Sequence, residues 1–177
     1  LVAGILDEYS SIPVVVDPVM VTSSGDKLLE EDVVQAYKDY LFPRTSILTP
    51  NKKEAEWLCG KELNEGNIEE CLKDLSRWGN SVIIKSVENR DFFIDYYYNP
   101  VEKVMKVYKK EGIRTRNVNG TGDSFASAIA TFLSKGYGIE FAVPEAERFI
   151  QQSIELGARF KFGRGFGPVY PYYEVQE

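Results

Sequence analysis

The chain has 177 residues, of which 44% are hydrophobic and 27% charged, and this favours one globular domain with a sizeable core. A net charge of −6 argues against non-specific binding to nucleic acid or to anionic membranes. The sequence contains no histidine, which excludes histidine-based catalysis and most zinc sites. No apolar run approaches the ~18 residues that can span a bilayer.

The first third of the chain alternates helical patterns with short apolar runs. Residues 1–10 have helical spacing, so we expect the chain to begin inside a helix and to lack the first units of its fold. The β-branched run from Pro13 to Asp17 predicts a strand buried on both faces, as in a parallel sheet. A helix is predicted from about Glu30 to Leu41, and Pro43 ends it.

The same alternation continues. Residues 46–49 predict a second strand, and the helix that follows opens at Asn51, which has capping-box spacing to Glu54. A third helix is predicted over 67–78. The run from Ser81 to Lys85 predicts a third buried strand.

The second half begins with two segments rich in tyrosine and valine, residues 92–98 and 104–108, which predict an antiparallel hairpin at a sheet edge. A last helix is expected over about 139–160, provided that Pro144 lies in its first turn. The glycine-rich tail, residues 163–168, is expected to be irregular.

Between these elements, Gly120 and Gly122 flank Thr121, and Asp123 follows. An apolar pattern with helical spacing starts at once, at Phe125, Ile129, Phe132 and Leu133. A glycine-rich turn that opens a helix aims backbone N–H groups and the helix dipole at one point, which suits a phosphate. From the residues alone, Asp123 is either a helix cap or a general base beside the phosphate.

Cys59 and Cys71 are twelve residues apart, and this spacing is not that of a metal site. We expect two reduced cysteines in helices of a cytoplasmic protein.

Strands that alternate with helices predict an α/β protein with a mostly parallel sheet. Three of the predicted strands end beside polar residues: Asp17, Thr49 to Asn51, and Lys85 to Ser86. Ligands bind at the carboxyl ends of such strands, where the glycine turn could join them. Asp17, Glu54 and Asp123 would then place carboxylates around a phosphate cradle, as Mg²⁺-dependent phosphoryl transfer requires.

Several blocks of the chain, in order, resemble the hydroxymethylpyrimidine and phosphomethylpyrimidine kinases of thiamine synthesis. The blocks are Asp17 to Val21 with Ser24 to Asp26, Thr49 to Asn51 with Glu54, Gly120 to Gly122 with Ala126 to Ala130, and Gly163 to Pro168. The resemblance covers essentially the whole chain and implies a ribokinase-like, three-layer α/β/α fold in one domain, 1–177.

The resemblance also implies roles for particular residues. Gly120, Thr121 and Gly122 would form the anion hole for the γ-phosphate of ATP, and Asp123 would take the proton of the substrate hydroxymethyl group. Asn51 and Glu54 would match the Asn-x-x-Glu that organises Mg²⁺ and its waters. The nucleotide and the metal would also lie beside residues at the strand ends, namely Asp17, Thr49, Lys85 and Ser86. A monovalent cation is a further cofactor that the family pattern allows.

Some positions depart from the family pattern. Hydroxymethylpyrimidine kinases often carry cysteine where this chain has Asp123, whereas aspartate there is usual in ribokinases and pyridoxal kinases. The Lys-Gly-Gly-His of the family appears as Lys85 to Glu88, and Asn119 replaces the histidine before Gly-Thr-Gly. These changes leave the kinase chemistry in place and weaken the assignment of the substrate.

We therefore expect a cytoplasmic, ATP-dependent and homo-oligomeric kinase of a small heteroaromatic alcohol, with neither nucleic acid nor membrane as a partner. The alternatives are a pyridoxal-type kinase and a non-catalytic ligand-sensing module of the same fold. A nicotinamide-dependent oxidoreductase is disfavoured, because no Gly-x-Gly-x-x-Gly follows the first strand.

Overall fold

The computed structural model of the protein describes residues 1–21, 26–89, 92–161 and 163–171. The chain divides into two compact units, residues 1–109 and 110–177, and each is described by itself. Within the described ranges, no helix is both long and apolar enough to cross a lipid bilayer. The matched block at Ser24 and Gly25 lies outside the described residues.

The described residues of the first unit include four α-helices, and apolar spacing explains the faces that the later ones bury. The helices are α1 (Val2–Glu8), α2 (Glu31–Ala36), α3 (Lys52–Cys59) and α4 (Ile68–Leu75). The predicted third helix is α4, and the helical spacing of Ile68, Cys71, Leu72 and Leu75 places all four on its buried face. The helix predicted to reach Leu41 instead changes to a π-helical turn, Tyr37–Leu41, and then to a 3-10 turn that contains Pro43.

The three predicted parallel strands are confirmed as β1 (Val15–Val16), β2 (Ile47–Leu48) and β3 (Ser81–Asn89). Val15 pairs with Ile47, and Ile47 pairs with Ser81, in parallel register. Both residues of β2 and residues 82–84 of β3 are fully buried, as expected for strands covered on both faces.

The aromatic segments form β4 (Phe92–Asn99) and β5 (Val104–Glu111). The strand order is β1-β2-β3-β4-β5, with β4 antiparallel to β3, so the two segments lie at a sheet edge as predicted. The register between β3 and β4 shifts between Ile84 and Val87, which places a bulge directly after the buried part of β3.

The second unit is built around two helices that pack against each other, α5 (Thr121–Ser134) and α6 (Ile139–Gly157). The buried residues of α5 are Phe125, Ile129 and Leu133, while Phe132 of the predicted face is half-buried. The sequence predicted this last helix only if Pro144 lay in its first turn, and that condition is wrong. The proline is the sixth residue of α6 and so lies in the second turn. Its ring nitrogen has no hydrogen to donate to the carbonyl four residues earlier, and the helix continues without that bond.

A two-stranded parallel pair joins the segment before α5 to the tail. It consists of β6 (Asn117–Asn119) and β7 (Gly167–Pro168). The tail predicted to be irregular is therefore partly a strand. It is held because Gly167 N–H donates to the Arg116 carbonyl (3.1 Å) and Val169 N–H donates to the Asn119 carbonyl (3.0 Å).

The expectation of two reduced cysteines is wrong. Cys59 at the end of α3 and Cys71 in α4 form a disulfide, with their Cα atoms 6.0 Å apart. Cys71 is fully buried and Cys59 is partly buried where the two helices pack, a proximity that a spacing of twelve residues in the sequence does not reveal.

Reduction of the Cys59–Cys71 bond is expected to lower the free energy of unfolding by about 2–3 kcal/mol. Without the cross-link, the unfolded chain regains the conformational entropy that closing a loop of this length removes. Urea unfolding with and without dithiothreitol, followed by the fluorescence of Trp57 and Trp78, measures this difference. A variant with alanine at both cysteines is the control and should not respond to the reductant. Equal urea midpoints for the untreated and reduced protein would contradict the prediction.

Candidate functional site

An ion pair joins the residue that follows β1 to the middle of β3. Lys85 Nζ is 3.0 Å from Asp17 Oδ1, and the side chains are only 9% and 13% exposed. Asp17 follows β1 directly and Lys85 is the last buried residue of β3, so parallel strands bring these two distant residues together. A pair shielded from water in this way is stronger than a surface pair and is costly to break.

The start of α3 is closed by the capping box that the sequence predicts. Glu54 N–H donates to Asn51 Oδ1 (3.0 Å), and Asn51 N–H donates to Glu54 Oε2 (2.8 Å). The second oxygen, Glu54 Oε1, accepts the N–H of Met20 at 3.0 Å. One carboxylate therefore fixes both the helix start and the loop after β1.

Glu54 is almost completely buried, at 2% exposure, and burial raises the pKa of its carboxyl group above the usual value. The hydrogen bonds from Asn51 and Met20 oppose that rise in the pKa, as does Lys85, while the charge of Asp17 adds to it. The two carboxylates thus interact electrostatically in one region of the first unit. A cation there would offset both their repulsion and the cost of burial.

Thr49 and Ser86, also predicted to border the nucleotide, take part in the framework of the strands. Thr49 is fully buried, and its N–H donates to the Val16 carbonyl (2.9 Å). Ser86 is exposed and has a φ of 59°, in the left-handed region that residues other than glycine rarely adopt. Its N–H donates to Asp95 Oδ1 at 2.8 Å.

In the second unit, Gly120 is the N-cap residue of α5 and has a φ of 83°, which favours glycine. The Thr121 hydroxyl donates back to the Val118 carbonyl, away from the helix. No side chain caps this end of α5. The first N–H groups of the helix, including those of Thr121 and Gly122, have no partner within the helix and add to the positive end of its dipole.

Asp123 is exposed and lies in the first turn of α5 without making a side-chain cap. The hydrogen-bonded cap that the sequence left open as one reading of this residue is therefore absent. What remains of that reading is a favourable interaction with the helix dipole.

The structure thus brings Asp17, Asn51, Glu54 and Lys85 together within the first unit, with Thr49 and Ser86 in the adjoining strands. It places Gly120 to Asp123 together at the head of α5 in the second unit. Among the described residues, no group of three or more carboxylate, cysteine or histidine side chains forms a ready metal site.

Sequence reasoning missed two residues that hold these groups in place. Asp95 lies opposite the bulge of β3. Asn117, which is buried, donates from Nδ2 to the carbonyls of Gly157 (2.7 Å) and Phe160 (2.8 Å) and so anchors the strand that leads to the glycine turn. A polar residue within an otherwise apolar or strand-like run is the only sequence signal that either of them carries.

Parallel strands with helices between them, and a carboxylate directly after the first strand, are features of α/β proteins that bind ligands at the carboxyl ends of their strands. A family model described as phosphomethylpyrimidine kinase matches residues 1–170. The chain belongs to that family.

Individual relatives agree with this assignment. A hydroxymethylpyrimidine/phosphomethylpyrimidine kinase of Staphylococcus aureus is 34% identical over 170 residues, which are 93% of this chain and 60% of that protein. A thiamine biosynthesis bifunctional protein of Geobacter sulfurreducens is 35% identical over 175 residues, 95% of this chain and 34% of that protein. The chain therefore spans between about a third and three fifths of the length of these relatives.

A solved structure shows the same fold. Pyridoxal kinase of Bacillus subtilis, crystallised as an ADP complex, superposes with a TM-score of 0.79 at 26% identity. The superposition covers 96% of this chain and 66% of that one. The predicted ribokinase-like α/β fold with a mostly parallel sheet is confirmed.

The capping box can be tested through stability. Asn51→Ala is expected to lower the free energy of unfolding by about 1 kcal/mol, the usual contribution of an N-cap. Glu54→Ala should cost more, about 2–4 kcal/mol, because it leaves the N–H groups of Asn51 and Met20 without their acceptor. Urea unfolding measures both values.

Glu70→Ala is the matched control, since Glu70 occupies the same third helical position in α4 but is exposed and takes part in no capping box. Its cost should stay within about 0.5 kcal/mol. Equal losses for Glu54→Ala and Glu70→Ala would show that the box contributes nothing particular to stability.

Proposed function

We propose that the protein is an ATP-dependent kinase in thiamine biosynthesis that phosphorylates the hydroxymethyl group of hydroxymethylpyrimidine and then the phosphate group of the resulting monophosphate. The observation that carries the proposal is the uncapped glycine turn at Gly120, followed in the same helix by the exposed carboxylate of Asp123. Family membership over residues 1–170 supports it.

In this reaction, the backbone N–H groups of Thr121 and Gly122 bind the oxygens of the γ-phosphate. Gly120 makes the turn possible, because its left-handed φ would strain any side chain. The donors are fixed before the reaction and need no rearrangement as charge develops on the transferred phosphoryl group. Preorganised donors of this kind commonly supply a large part of the rate enhancement.

Asp123 acts as the general base. Its carboxylate accepts the proton of the substrate hydroxyl group, and the substrate oxygen forms a bond to the γ-phosphorus while the bond between that phosphorus and the oxygen of ADP breaks. The position of Asp123 at the start of α5, without a cap bond to occupy its oxygens, is compatible with this role.

The residues of the first unit serve the nucleotide and its metal. Asp17, Asn51 and Glu54 would hold Mg²⁺ directly or through its waters, since this ion commonly keeps several waters and uses one or two carboxylates together with substrate phosphates. Both oxygens of Glu54 already accept backbone N–H groups, so Glu54 would hold the ion through its waters. When bound, Mg²⁺ neutralises charge on the phosphate oxygens.

Lys85 contributes a positive charge near the phosphates, and its pairing with Asp17 keeps the ammonium in a defined place. Thr49 contributes main-chain positions directly after β2, and Ser86 contributes them in the bulge of β3. We also propose that a monovalent cation binds and that the protein forms a homo-oligomer.

A pyridoxal-type kinase is the second candidate. It is favoured by the aspartate at position 123 in place of the cysteine that is common in hydroxymethylpyrimidine kinases, and by the fold match to a pyridoxal kinase. An ADP-release assay with hydroxymethylpyrimidine, its phosphate, pyridoxal and pyridoxine separates the two. Binding of ATP without ADP release on any of the four substrates would indicate the non-catalytic module instead.

Asp123→Asn in the full-length protein is expected to lower kcat at least about 10²-fold, because the amide cannot accept the hydroxyl proton. ATP binding, followed by calorimetry, should persist, since the variant keeps the N–H groups of the turn. Glu140→Gln is the matched control, because Glu140 is an exposed carboxylate in the first turn of α6 and should affect turnover little. Undiminished turnover in Asp123→Asn would rule out its role as the base.

A further inference from the structure

The bulge in β3 lies at the residue that forms the buried ion pair. Ile84 pairs with Tyr96 and Val87 with Ile94, so Lys85 and Ser86 together face the single residue Asp95 on β4. An extra residue of this kind bends the strand and turns the neighbouring side chains, and such bulges are frequent beside active sites. The side chain turned here is Lys85, whose ammonium reaches Asp17 at 3.0 Å.

The bulge depends on an unfavourable backbone conformation. Ser86 has a φ of 59°, and a residue other than glycine keeps such a conformation only when its surroundings hold it there. The side chain of Ser86 is exposed, so its own packing does not provide that hold. The hold comes from Asp95, which is 1% exposed and whose Oδ1 accepts the Ser86 N–H at 2.8 Å.

The same bulge also contacts the start of α3. The backbone N–H of Lys85 donates to the Pro50 carbonyl (2.9 Å), and Lys85 and Asn51 form an isolated parallel bridge. A change in the backbone at Ser86 would therefore reach both the Asp17–Lys85 pair and the capping box. Asp95 lies behind these groups, on the strand that pairs with β3.

We propose that Asp95 is a positioning residue for phosphoryl transfer: by holding the left-handed backbone of Ser86, it keeps the Lys85 ammonium against Asp17. Asp95 touches neither substrate nor nucleotide and acts through Ser86 and Lys85. The catalytic part of this inference rests on the proposed kinase function, whereas the link from Asp95 to Lys85 does not.

The link is tested by the rate at which acetic anhydride modifies Lys85 in the full-length protein, measured by mass spectrometry at fixed pH. Ser86→Val should raise this rate about tenfold, because a β-branched residue destabilises the left-handed conformation by about the energy of a tenfold change in equilibrium. Asp95→Leu should raise it similarly. Glycine adopts that conformation without strain, so Ser86→Gly should restore slow modification in the Asp95→Leu background.

The catalytic consequence is tested by a double-mutant cycle on kcat/KM. Asp95→Leu and Lys85→Met should each lower kcat/KM at least about tenfold, and Asp95→Leu should cause little further loss when Lys85 is already replaced. Tyr97→Phe is the control: Tyr97 is equally buried on β4, and its hydroxyl lies 3.3 Å from Ser81 Oγ, at the start of β3 and away from the bulge. Its kcat/KM should stay near that of the unaltered protein.

Unchanged modification of Lys85 in both Ser86→Val and Asp95→Leu would overturn the proposal, as would independent, multiplicative losses in the cycle. If the Asp95→Leu variant does not fold, the modification rate of Lys85 in Ser86→Val decides alone. The side chain of residue 86 lies on the surface, so its replacement should leave the protein folded. If the unaltered protein transfers no phosphate, the proposed function fails, and the modification rates still decide whether Asp95 holds Lys85.

Discussion

The carboxylate of Glu54 is the group on which the rest of the first unit depends. Its two oxygens accept the N–H groups of Met20 and Asn51, which belong to different segments of the chain. Burying this charge is costly, and only the two hydrogen bonds, with the nearby ammonium of Lys85, offset the cost. If the hydrogen bonds of Glu54 are lost, the loop after β1, the end of β2 and the start of α3 therefore lose their arrangement together.

A second carboxylate, Asp95, works by the same physical rule on the other side of Lys85. Glu54 caps the start of α3, and Asp95 stabilises the strained bulge of β3. In both places the carboxylate accepts a backbone N–H that would otherwise lack this acceptor. Carboxylates used in this way fix the backbone more firmly than ion pairs between flexible side chains, because one partner is the chain itself. Lys85 and Asp17 meet within a framework that these two residues determine.

Sequence patterns predicted the local features of this framework well and its long-range contacts poorly. Apolar runs located the three parallel strands, and the Asn-x-x-Glu spacing correctly predicted the box at Asn51. The same spacing at Asn67 and Glu70 forms no box, because the Asn67 side chain instead binds the preceding loop, at Asn64 N–H and the Glu62 carbonyl. The bulge and the Cys59–Cys71 bond depend on which strands and helices are neighbours, which no local pattern encodes.

The N-termini of α3 and α5 both take part in the proposed function, and they show how the sequence caps one helix and leaves the other uncapped. In α3, the side chains of Asn51 and Glu54 accept the N–H groups of Glu54 and Asn51, so that end of the helix is capped by its own residues. In α5, glycine stands at the N-cap and the Thr121 hydroxyl turns back to Val118, so no side chain takes the first N–H groups. An asparagine or aspartate at position 120 could cap the helix but would compete with a phosphate for the same donors. In the proposed function, the absence of a cap at Gly120 therefore leaves the N–H groups of α5 for the phosphate, while the capped α3 positions residues.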